Sequence, residues 1–535
     1  MFQKNALLSV YNKEGIVEFA QALVELGWTL YSSGGTAKKI ADAKIPVQDV
    51  ATLVGGEAIL GHRVVTLSRE VHGGLLARNI DIDIAELEKE GIPWIGLVCV
   101  DMYPLKEEIK KEGSTPESVI EKTDIGGPAM LRSAAKSRRI TLCDANDRPR
   151  VIEWMKAGEL NREEYLNYLA AKAEFAVANY CLSSAVYHGK GEYAGIVGER
   201  IITCKYGENA YQTPAALYAT ENDDPLALDK LKVISGTNLS FNNICDIDRL
   251  LQTITHIAAT FDINRGAVPL IAVGVKHGNA CGASIGNDSE DVVIEMITGD
   301  SLAIFGGLIM LNFPVSEEVA EAILQYGMLE GKRRLLDGII APSFEESTLE
   351  MLKRKGDKCR LVVHPALASL DRNSLDKTQR LRFVRGGFLM QPNYTFILDL
   401  NDPDLVKIGK ATIMEENDML LVKAIGDTSN SNTITLGRQG ILIGNGVGQQ
   451  ARVYGAKLAV ERAKSSDQSS KYAAASSDSF FPETDGVEVL AEAGVKAIIS
   501  TSGSVRDKEV IEFCEEKGII LYLIPDKKGR GFFGH

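Results

Sequence analysis

The chain has few of the residues that build metal centres and disulfide frameworks. Its eight cysteines and seven histidines are scattered along the sequence, and no two cysteines form a Cys-x-x-Cys pair. Several cysteines lie in apolar runs, among them Cys99, Cys245 and Cys514, which is typical of reduced thiols in a cytoplasm. The sequence therefore gives no reason to expect a disulfide framework, a zinc site or another metal.

Two further features are missing, a basic excess and a long apolar run. The formal net charge is −13, which argues against a general nucleic-acid or anionic-membrane binder but leaves pockets for small phosphates open. No apolar run reaches the ~18 residues of a membrane span. The start of the sequence, Met1–Asn5, lacks the apolar core of a signal peptide. We therefore expect a cytoplasmic protein with no nucleic-acid or membrane partner.

The length and the order of predicted elements indicate several α/β domains. A chain of 535 residues exceeds what one core usually holds. In its first part, strand-like runs at Ala6–Val10, Thr29–Ser32 and Trp94–Val100 alternate with helical patterns. This alternation predicts a parallel sheet with helices on both faces. A glycine-punctuated stretch, His188–Gly198, is predicted to be a linker.

From Ile201 onward a second α/β region is predicted. Both halves of this region place polar clusters directly after strand-like runs, which indicates a duplicated subdomain. The Ser- and Ala-rich stretch Ser465–Ser479 is predicted to be a mobile connection.

The motif Lys276-His277-Gly278-Asn279-Ala280-Cys281-Gly282 ends an apolar run that begins at Pro269. Titratable side chains at the end of a buried strand are often delivered into a pocket, where burial adjusts their pKa values for catalysis. Without further context, a surface lysine beside a structural histidine is an equally good interpretation.

Three loops near the amino terminus have the character of anion sites. Ser32–Lys38 (SSGGTAK) follows a short strand and opens a helix, so backbone N–H groups are left unpaired at the positive end of the helix dipole. Ser9–Lys13 and Gly61–Thr66 also place polar groups after apolar runs. Loops at the ends of parallel strands converge on one crevice, which favours phosphate binding over plain turns.

Two other motifs have ordinary structural interpretations as well as functional ones. Asp124 precedes a Gly-Gly-Pro helix start, where an ordinary N-cap is the competing interpretation of its carboxylate. The stretch Gly444–Arg452 (GNGVGQQAR) has GxGxG spacing rather than the GxGxxG of a dinucleotide loop. It is better interpreted as a glycine-rich turn that presents Gln450 and Arg452.

Taken in order, the motifs resemble a known family. They are SSGGTAK, HGGLLAR, DIGGPAMLRSAAK, KYGEN, LSFNN, KHGNACG, FGG, DGIIAP, RGGFLMQ, GNGVGQQAR and SDSFFP, and they span essentially the whole chain. This order resembles the bifunctional purine-biosynthesis enzymes that join aminoimidazole carboxamide ribonucleotide (AICAR) formyltransferase to inosine monophosphate (IMP) cyclohydrolase.

The resemblance implies an α/β fold with three parts. Residues 1–195 would form a methylglyoxal-synthase-like parallel-sheet domain that closes the purine ring. Residues 196–370 and 371–535 would form two cytidine-deaminase-like α/β/α subdomains. These subdomains would move a formyl group from the co-substrate 10-formyltetrahydrofolate to AICAR. The resemblance also implies a homodimer with formyltransferase sites between subunits, and catalysis without a metal.

For formyl transfer, the resemblance assigns His277 to deprotonate the 5-amino group of AICAR. Lys276 would stabilise the developing charge and protonate the folate leaving nitrogen. The positions that match nucleotide-binding residues are Lys205, Tyr206, Gly306, Asp337, Asn432 and Arg452. The positions that match folate-binding residues are Val453, Phe480, Asp485 and Arg530.

For ring closure, the resemblance assigns the acid–base roles to Tyr103, Asp124 and Lys136. These groups would move protons as the carboxamide nitrogen attacks the formyl carbon and water leaves. The nucleotide-binding positions implied for this domain are Lys13, Ser33, Gly34, Gly35, Thr36, Arg63, Thr66 and Asp101.

The sequence departs from the family at several positions. Val65 stands where the family has a lysine that stabilises the cyclisation oxyanion, and losing such a donor typically costs ~10²–10³ in rate. Arg63 and Arg69 are candidate replacements for it. Tyr11 occupies a position that is usually serine, and Lys205 and Tyr211 replace an arginine and a histidine.

These departures leave two alternatives open beside a two-step enzyme. One is a formyltransferase with a structural first domain, and the other is a nucleotide-binding protein with a degenerate cyclohydrolase domain. The retained proton carriers favour catalysis.

Overall fold

The computed structural model describes residues 4–60 and 63–534. The chain divides into two compact units, Met1–Val197 and Gly198–His535. Two residues of the predicted loop Gly61–Thr66, namely Gly61 and His62, lie outside the described residues. Within the described part, no helix is both long enough and apolar enough to cross a membrane.

The first unit alternates strands and helices, as the sequence predicts. Its strands are β1 (Asn5–Val10), β2 (Thr29–Ser32), β3 (Gln48–Asp49), β4 (Ile95–Asp101) and β5 (Ile140–Leu142). Its helices are α1 (Ile16–Glu25), α2 (Gly34–Asp42), α3 (Val50–Leu53), α4 (Arg69–Leu76), α5 (Asp81–Glu90), α6 (Leu105–Lys110), α7 (Pro116–Glu121), α8 (Gly126–Lys136), α9 (Asp147–Lys156) and α10 (Arg162–Gly189).

Strands β1–β5 form one parallel sheet, in the order β3-β2-β1-β4-β5. Helices cover both faces of the sheet, so the central strands are apolar at successive positions rather than at alternate ones. Leu8 and Leu97 pack into the hydrophobic cluster on one face, whereas their neighbours Leu7 and Val98 pack into the cluster on the other.

The strand order of the first unit reverses direction at β1, which has β2 on one side and β4 on the other. In open parallel sheets, ligands bind in the crevice outside the carboxyl ends of strands at such a point. Here those ends lead into Tyr11–Lys13 after β1 and into Met102–Tyr103 after β4. The topology therefore gathers the predicted anion loops at one edge of the sheet.

The second unit contains a long mixed sheet and smaller two-stranded sheets. Its strands are β6 (Glu199–Cys204), β7 (Ala215–Ala219), β8 (Lys232–Ser235), β9 (Leu270–Lys276), β10 (Asn279–Gly286), β11 (Leu308–Leu311), β12 (Gly338–Ala341), β13 (Arg360–Val363), β14 (Gln379–Val384), β15 (Gly387–Pro392), β16 (Val406–Ile408), β17 (Ile434–Arg438), β18 (Ile441–Gly446), β19 (Ala474–Ser477), β20 (Ala497–Ser502) and β21 (Ile520–Pro525). Its helices are α11 (Phe241–Arg265), α12 (Ser289–Gly299), α13 (Glu317–Gln325), α14 (Glu346–Leu352), α15 (Ile413–Gly426), α16 (Arg452–Ser465), α17 (Asp485–Glu492), α18 (Asp507–Lys517) and α19 (Asp526–Gly529).

The strand order of this sheet shows an internal duplication. Twelve strands run in the order β16-β21-β20-β19-β17-β18-β10-β9-β11-β12-β13-β8. Each half holds an antiparallel hairpin, three parallel strands and one antiparallel edge strand, in the same sequence order. The halves meet where β10 pairs with β18, at Ser284 and Ile441. The two predicted subdomains are therefore joined in one continuous sheet.

The helices that precede the two hairpins also correspond. Both α11 and α15 begin with a capping box, made by Ser240 in the first copy and by Thr412 in the second. The sixth residue of each helix is an aspartate, Asp246 or Asp418, whose carboxylate accepts a backbone N–H from the hairpin turn of its own copy. The duplication thus extends to individual hydrogen bonds.

The prediction that Ser465–Ser479 is a mobile connection is wrong. Residues Ala474–Ser477 within it form strand β19, which is buried between β17 and β20. The composition was misleading because small Ser and Ala side chains also suit a strand that is covered on both faces by helices. Ser477 is used as a buried hydrogen-bond acceptor rather than as a solvated loop residue.

Candidate active sites

In the second unit, Lys276 and His277 occupy the tip of the β9–β10 hairpin. His277 and Gly278 have φ values of 54° and 73°, the left-handed pair that a tight two-residue hairpin turn requires. This conformation leaves the His277 side chain exposed. Lys276 Nζ donates a hydrogen bond to the Phe305 carbonyl oxygen at 2.7 Å. The strand therefore delivers a cation and an imidazole to the surface side by side.

Helix α11 holds the hairpin turn that carries His277. Asp246 Oδ1 accepts a hydrogen bond from the Gly278 N–H at 2.7 Å. Burial raises the pKa of Asp246, and the Gly278 N–H and the nearby His277 act against that rise. The carboxylate thus holds the turn and lies close enough to His277 to interact with its charge.

Asparagine side chains connect this hairpin to the second copy of the duplication. Asn279 Oδ1 accepts a hydrogen bond from the Asn430 backbone N–H at 3.0 Å. The guanidinium of Arg249 donates to the Thr428 carbonyl oxygen, and to Asn430 Oδ1 at 3.0 Å. The loop after α15 is thereby held against the His277 hairpin.

The same loop continues to Asn432, which is tied to Arg452 at the start of α16. Arg452 Nη2 donates to Asn432 Oδ1 at 3.0 Å, and Nη1 donates to Ser477 Oγ at 2.8 Å and to the Asp478 carboxylate. Arg452 and Asp478 are both buried. Because its guanidinium is bound on both sides, Arg452 is placed to orient Asn432. The nucleotide-binding role predicted for Arg452 stays a prediction.

Two other predicted nucleotide-binding positions lie beside Lys276. The Phe305 carbonyl that accepts from Lys276 precedes Gly306, whose φ is 76° and whose Cα faces open space. The Asp337 N–H donates to the Gly307 carbonyl oxygen, and the Asp337 carboxylate accepts a hydrogen bond from Arg354 Nη1 at 3.2 Å. An open glycine turn flanked by a carboxylate is suited to hold a polar ligand next to the Lys276 ammonium.

Lys205 and Tyr206 follow β6 and lie near the start of α11. The Lys205 ammonium lies 5.9 Å from the centre of the Tyr206 ring. The same loop is linked to α11 through Asn242 Nδ2, which donates to the Glu208 carbonyl oxygen at 3.4 Å. These residues lie at the end of α11 that carries Asp246.

The predicted folate-binding residues surround the start of α16 and α17. Phe480 and Asp526 both lie beside Gly503, and Asp526 accepts a hydrogen bond from Arg530 Nε at 2.7 Å. Burial acts to raise the pKa of Asp526, but its hydrogen bonds, first with Arg530, hold the pKa below its usual range. Val453 follows Arg452, and Asp485 begins α17. One turn of α16 thus joins the Asn432–Arg452 contact to the predicted folate residues.

In the first unit, Tyr103 and Asp124 come together at the carboxyl edge of the sheet. Asp124 Oδ1 accepts from the Gly127 N–H at 2.8 Å, so the carboxylate also caps the start of α8. A Cβ added at Gly127 would collide with this carboxylate. Burial raises the pKa of Asp124, and it also raises the pKa of Tyr103, to which the charge of Asp124 contributes further. Such a pair has the character of a proton-transfer site.

The predicted anion loops adjoin this pair. A Cβ placed on Gly35 would lie 3.6 Å from Lys13 Cε, so the lysine stem rests against the Gly34–Gly35 turn. Ser33 is the N-cap of α2, and its hydroxyl makes no capping hydrogen bond. Thr36 is different, because its buried hydroxyl both donates to and accepts from the Val10 backbone. The Thr36 hydroxyl is therefore used inside the fold rather than offered to a ligand.

Other predicted ligands of the first unit are also engaged internally. The Asp101 carboxylate accepts the backbone N–H groups of Tyr11 and Asn12 and so shapes the loop after β1. Burial raises the pKa of Asp101. Arg63 forms an exposed ion pair with Glu121. Thr66 is buried beside Gly126 at the start of α8, which brings the loop that carries Arg63 to the Asp124 end of the crevice.

Lys136 does not join Tyr103 and Asp124 within one copy of the chain. It is the last residue of α8, and the helix begins at Gly126 beside Asp124. At a rise of 1.5 Å per residue, the helix separates the two ends by about 15 Å. Lys136 instead lines a concavity of about 450 Å³ with Arg132, Arg138, Glu174 and other residues of α8 and α10. Asp124 and Lys136 are close in sequence, but α8 places them at its opposite ends.

Several residues at these sites were not found by sequence reasoning. They are Asp246, Asn279, Asn430 and Asp478 in the second unit, and Lys122 and Tyr180 in the first. Asn279 lies within the KHGNACG motif and Asp478 lies within SDSFFP, so their motifs were usable signals. The others act through contacts between residues far apart in sequence, for which local patterns carry no signal.

Fold and sites together define a two-unit α/β enzyme. One unit has a tyrosine–aspartate pair at the edge of a parallel sheet, and the other has a lysine–histidine pair in a duplicated mixed sheet. Residues 134–462 match the sequence model of the AICARFT/IMPCHase bienzyme family, and residues 15–129 match the MGS-like domain. The chain belongs to this bienzyme family.

Two PurH proteins support this assignment. The bifunctional purine biosynthesis protein PurH of Neisseria meningitidis (serogroup C, serotype 2a) is 35% identical over 97% of this chain and 98% of its own length. PurH of Oceanobacillus iheyensis is also 35% identical, with the same coverage of both chains. The crystal structure of ForH matches with 37% identity and a TM-score of 0.32, over 36% of this chain and 99% of that one.

The protein is therefore a bifunctional enzyme of purine biosynthesis. It transfers a formyl group to AICAR and closes the formylated product to IMP, the last two steps of IMP synthesis.

Replacing Arg452 by lysine is expected to weaken AICAR binding by roughly tenfold or more. Lysine keeps a charge for Asp478 but loses the planar fork that also reaches Asn432, and one hydrogen bond to a charged group is worth about 1.5–3 kcal/mol. We expect a higher KM for AICAR in formyl transfer with unchanged cyclisation of formyl-AICAR. An unchanged KM would show that Arg452 does not orient Asn432.

Proposed function

We propose that Lys276 and His277 carry out formyl transfer and that Tyr103 and Asp124 carry out ring closure. The observation that supports this division is that each pair lies at an open turn or strand end in its own unit, held by hydrogen bonds from neighbouring elements. Each unit also carries polar loops suited to a nucleotide beside its pair.

In formyl transfer, the 5-amino nitrogen of AICAR forms a bond to the formyl carbon, and the bond from that carbon to the folate nitrogen breaks. His277 takes the proton that the amino group loses, and Lys276 donates a proton to the departing folate nitrogen. A positioned general base of this kind contributes roughly 10²–10⁴ in rate. Asp246 keeps the His277 turn in place, because it binds the backbone of Gly278.

The formyl donor is proposed to be 10-formyltetrahydrofolate, with no metal in catalysis. The support is that Val453 follows Arg452 and lies against the start of α17, where Asp485 stands, while Phe480 and the Arg530–Asp526 pair meet at Gly503. An aromatic ring and an arginine beside carboxylates suit a flat, polar pterin. We also propose a cytoplasmic location.

Two assays test this division of labour. In the first, purified protein receives formyl-AICAR without folate, and IMP is followed by its ultraviolet absorbance. In the second, it receives AICAR and 10-formyltetrahydrofolate. We expect IMP in both. If formyl-AICAR accumulates in the second assay and gives no IMP above the spontaneous rate in the first, the first unit is not a working cyclohydrolase.

We further propose that the protein is a homodimer that uses the β14–β15 hairpin. This hairpin forms a two-stranded sheet of its own and exposes large apolar side chains, with Phe383 75% and Leu389 60% exposed. A two-stranded hairpin is marginal alone, and apolar patches of this kind mark protein interfaces. A second copy of the chain is the proposed occupant.

The substitution Phe383→Asp is expected to convert the dimer to a monomer in sedimentation and to lower formyl transfer. The reason is that burying a carboxylate in an apolar contact is unfavourable. Cyclisation of formyl-AICAR should be retained. The matched control is Val505→Asp, since Val505 is fully exposed outside this hairpin. A wild-type monomer, or a dimer that persists in the variant, would contradict the proposed interface.

A further inference from the structure

A lysine with no role predicted from the sequence lies at the cyclohydrolase crevice. Lys122 follows α7, and its ammonium lies 5.4 Å from the centre of the Tyr11 ring and 5.7 Å from that of Tyr103. The two rings are perpendicular, with their centres 5.6 Å apart. A cation near the faces of two aromatic rings is attracted by both. The rings therefore hold this ammonium beside Tyr103, one of the proposed proton carriers.

The backbone of Lys122 is fixed relative to Asp124. The Tyr180 hydroxyl donates to the Lys122 carbonyl oxygen at 3.0 Å and accepts from the Asp124 N–H at 2.7 Å. Thr123 between them donates its hydroxyl to the Val119 carbonyl of α7 at 3.0 Å. A single tyrosine thus ties together the residue that carries the cation and the residue that carries the proposed base.

The other cations considered for this site are engaged elsewhere. Arg63 pairs with Glu121, and Arg69 pairs with Glu90 at 2.6 Å. Lys13 folds back onto the carbonyl oxygens that follow β1, and burial lowers its pKa. For Lys122, by contrast, no carboxylate within 4.0 Å is found among residues 4–60 and 63–534. Its charge is therefore available to a substrate.

Two departures from the family meet at this point. Val65, where the family has a lysine, packs its side chain against the hydrophobic cluster under β4 and α8. Tyr11, where the family usually has serine, supplies one of the two rings that hold Lys122. Thr66 next to Val65 adjoins Gly126, so the segment that lacks the lysine lies at the same end of α8 as Asp124.

We propose that Lys122 is a catalytic residue of ring closure and supplies the positive charge that the family places at the position of Val65. This inference rests on the proposed assignment of ring closure to Tyr103 and Asp124. The cation comes from a different segment of the chain and is oriented by Tyr11 and Tyr103, whereas Arg63 and Arg69 do not replace it.

The step that Lys122 assists balances without any further reactant. The carboxamide nitrogen bonds to the formyl carbon and gives a proton to Asp124, while the π pair of the formyl C=O moves onto oxygen. The Lys122 ammonium stabilises this oxygen as its negative charge develops, and stays protonated. The oxygen takes up that proton and a second one from the former formamido nitrogen. It leaves as water as the ring C=N bond forms.

The test compares Lys122→Met with Arg69→Met in the full-length protein supplied with formyl-AICAR. Removing one preorganised electrostatic donor typically costs ~10²–10³ in rate. We expect a fall of that size in kcat for Lys122→Met, with little change in KM and with AICAR formylation intact. Arg69→Met, which removes an exposed ion-paired cation, should match the wild type.

A second variant separates the charge from a structural role. In Lys122→Met/Val65→Lys the ammonium returns at the position that the family uses, so cyclisation should recover at least tenfold over Lys122→Met. A merely structural loss at Lys122 would not be repaired from Val65. The inference is overturned if Lys122→Met retains cyclisation within about threefold of the wild type, or if Arg69→Met loses as much. Absence of cyclisation in the wild type would instead overturn the proposed function of the first unit.

Discussion

Replacing His277 by alanine should lower formylation of AICAR by about 10²–10⁴ and leave the cyclisation of formyl-AICAR unchanged. The size of the effect is that of removing a positioned general base. The separation of effects follows because His277 belongs to the second unit, whereas Tyr103 and Asp124 belong to the first. Steady-state rates of the two half-reactions on the same preparation provide the measurement.

The duplication supplies a matched control for this experiment. Gln439 occupies the corresponding turn of the second hairpin, with φ of 55°, and its N–H donates to Asp418 as the first turn does to Asp246. Gln439→Ala perturbs the same backbone geometry without removing a titratable group, so both activities should persist. His277→Asn is a second test, because asparagine tolerates the left-handed conformation. Formyl transfer that survives in His277→Asn would contradict a proton-transfer role.

The two copies of the duplicated fold have diverged into complementary roles. In the first copy His277 places an imidazole at the hairpin tip. In the second copy Gln439 places an amide there, which takes up no proton near neutral pH. The second copy instead contributes the loop that carries Asn430 and Asn432, which reaches the first hairpin through Asn279. Under the proposed assignment, the formyltransferase centre therefore lies across the junction of β10 and β18.

The alternation of the first unit was predictable from sequence because each strand and helix there follows a local pattern. The strands predicted at Ala6–Val10, Thr29–Ser32 and Trp94–Val100 match β1, β2 and β4 to within one residue at each end. Gathering of the anion loops at one edge then follows from parallel topology. By contrast, Ser465–Ser479 was misjudged because its composition indicates a loop while its burial comes from distant strands.

The sites were predictable only as far as their motifs extend. Lys276 and His277 stand next to each other in sequence, so one pattern reveals both. The Asn279–Asn430 hydrogen bond depends on how the two hairpins pair, which no local pattern specifies. Closeness in sequence does not ensure contact either, since α8 separates Lys136 from Asp124 within one copy of the chain. The position of Lys122 was not predictable from its local pattern, because it depends on the rings of Tyr11 and Tyr103, which follow β1 and β4.

Replacing Asp124 by asparagine should lower the rate of ring closure by a factor of about 10²–10⁴, while AICAR is still formylated and formyl-AICAR accumulates. Asparagine keeps an oxygen that accepts the Gly127 N–H, so the start of α8 is preserved while the base is lost. A similar loss of both activities in folded protein would contradict the assignment to separate units.

The pH profile of ring closure gives an independent test of the same carboxylate. Burial raises the pKa of Asp124, so its base form is lost as the pH falls through a value above the usual ~3.9 of aspartate. The wild-type cyclisation rate should therefore decline on the acid side at a higher pH than an exposed aspartate would give. This acid limb should be missing from the residual activity of Asp124→Asn. The control Asp83→Asn, which removes an ion pair with Arg78, should retain the acid limb. An acid limb that persists in Asp124→Asn would mean that another group takes the carboxamide proton, and that Asp124 serves only as the cap of α8.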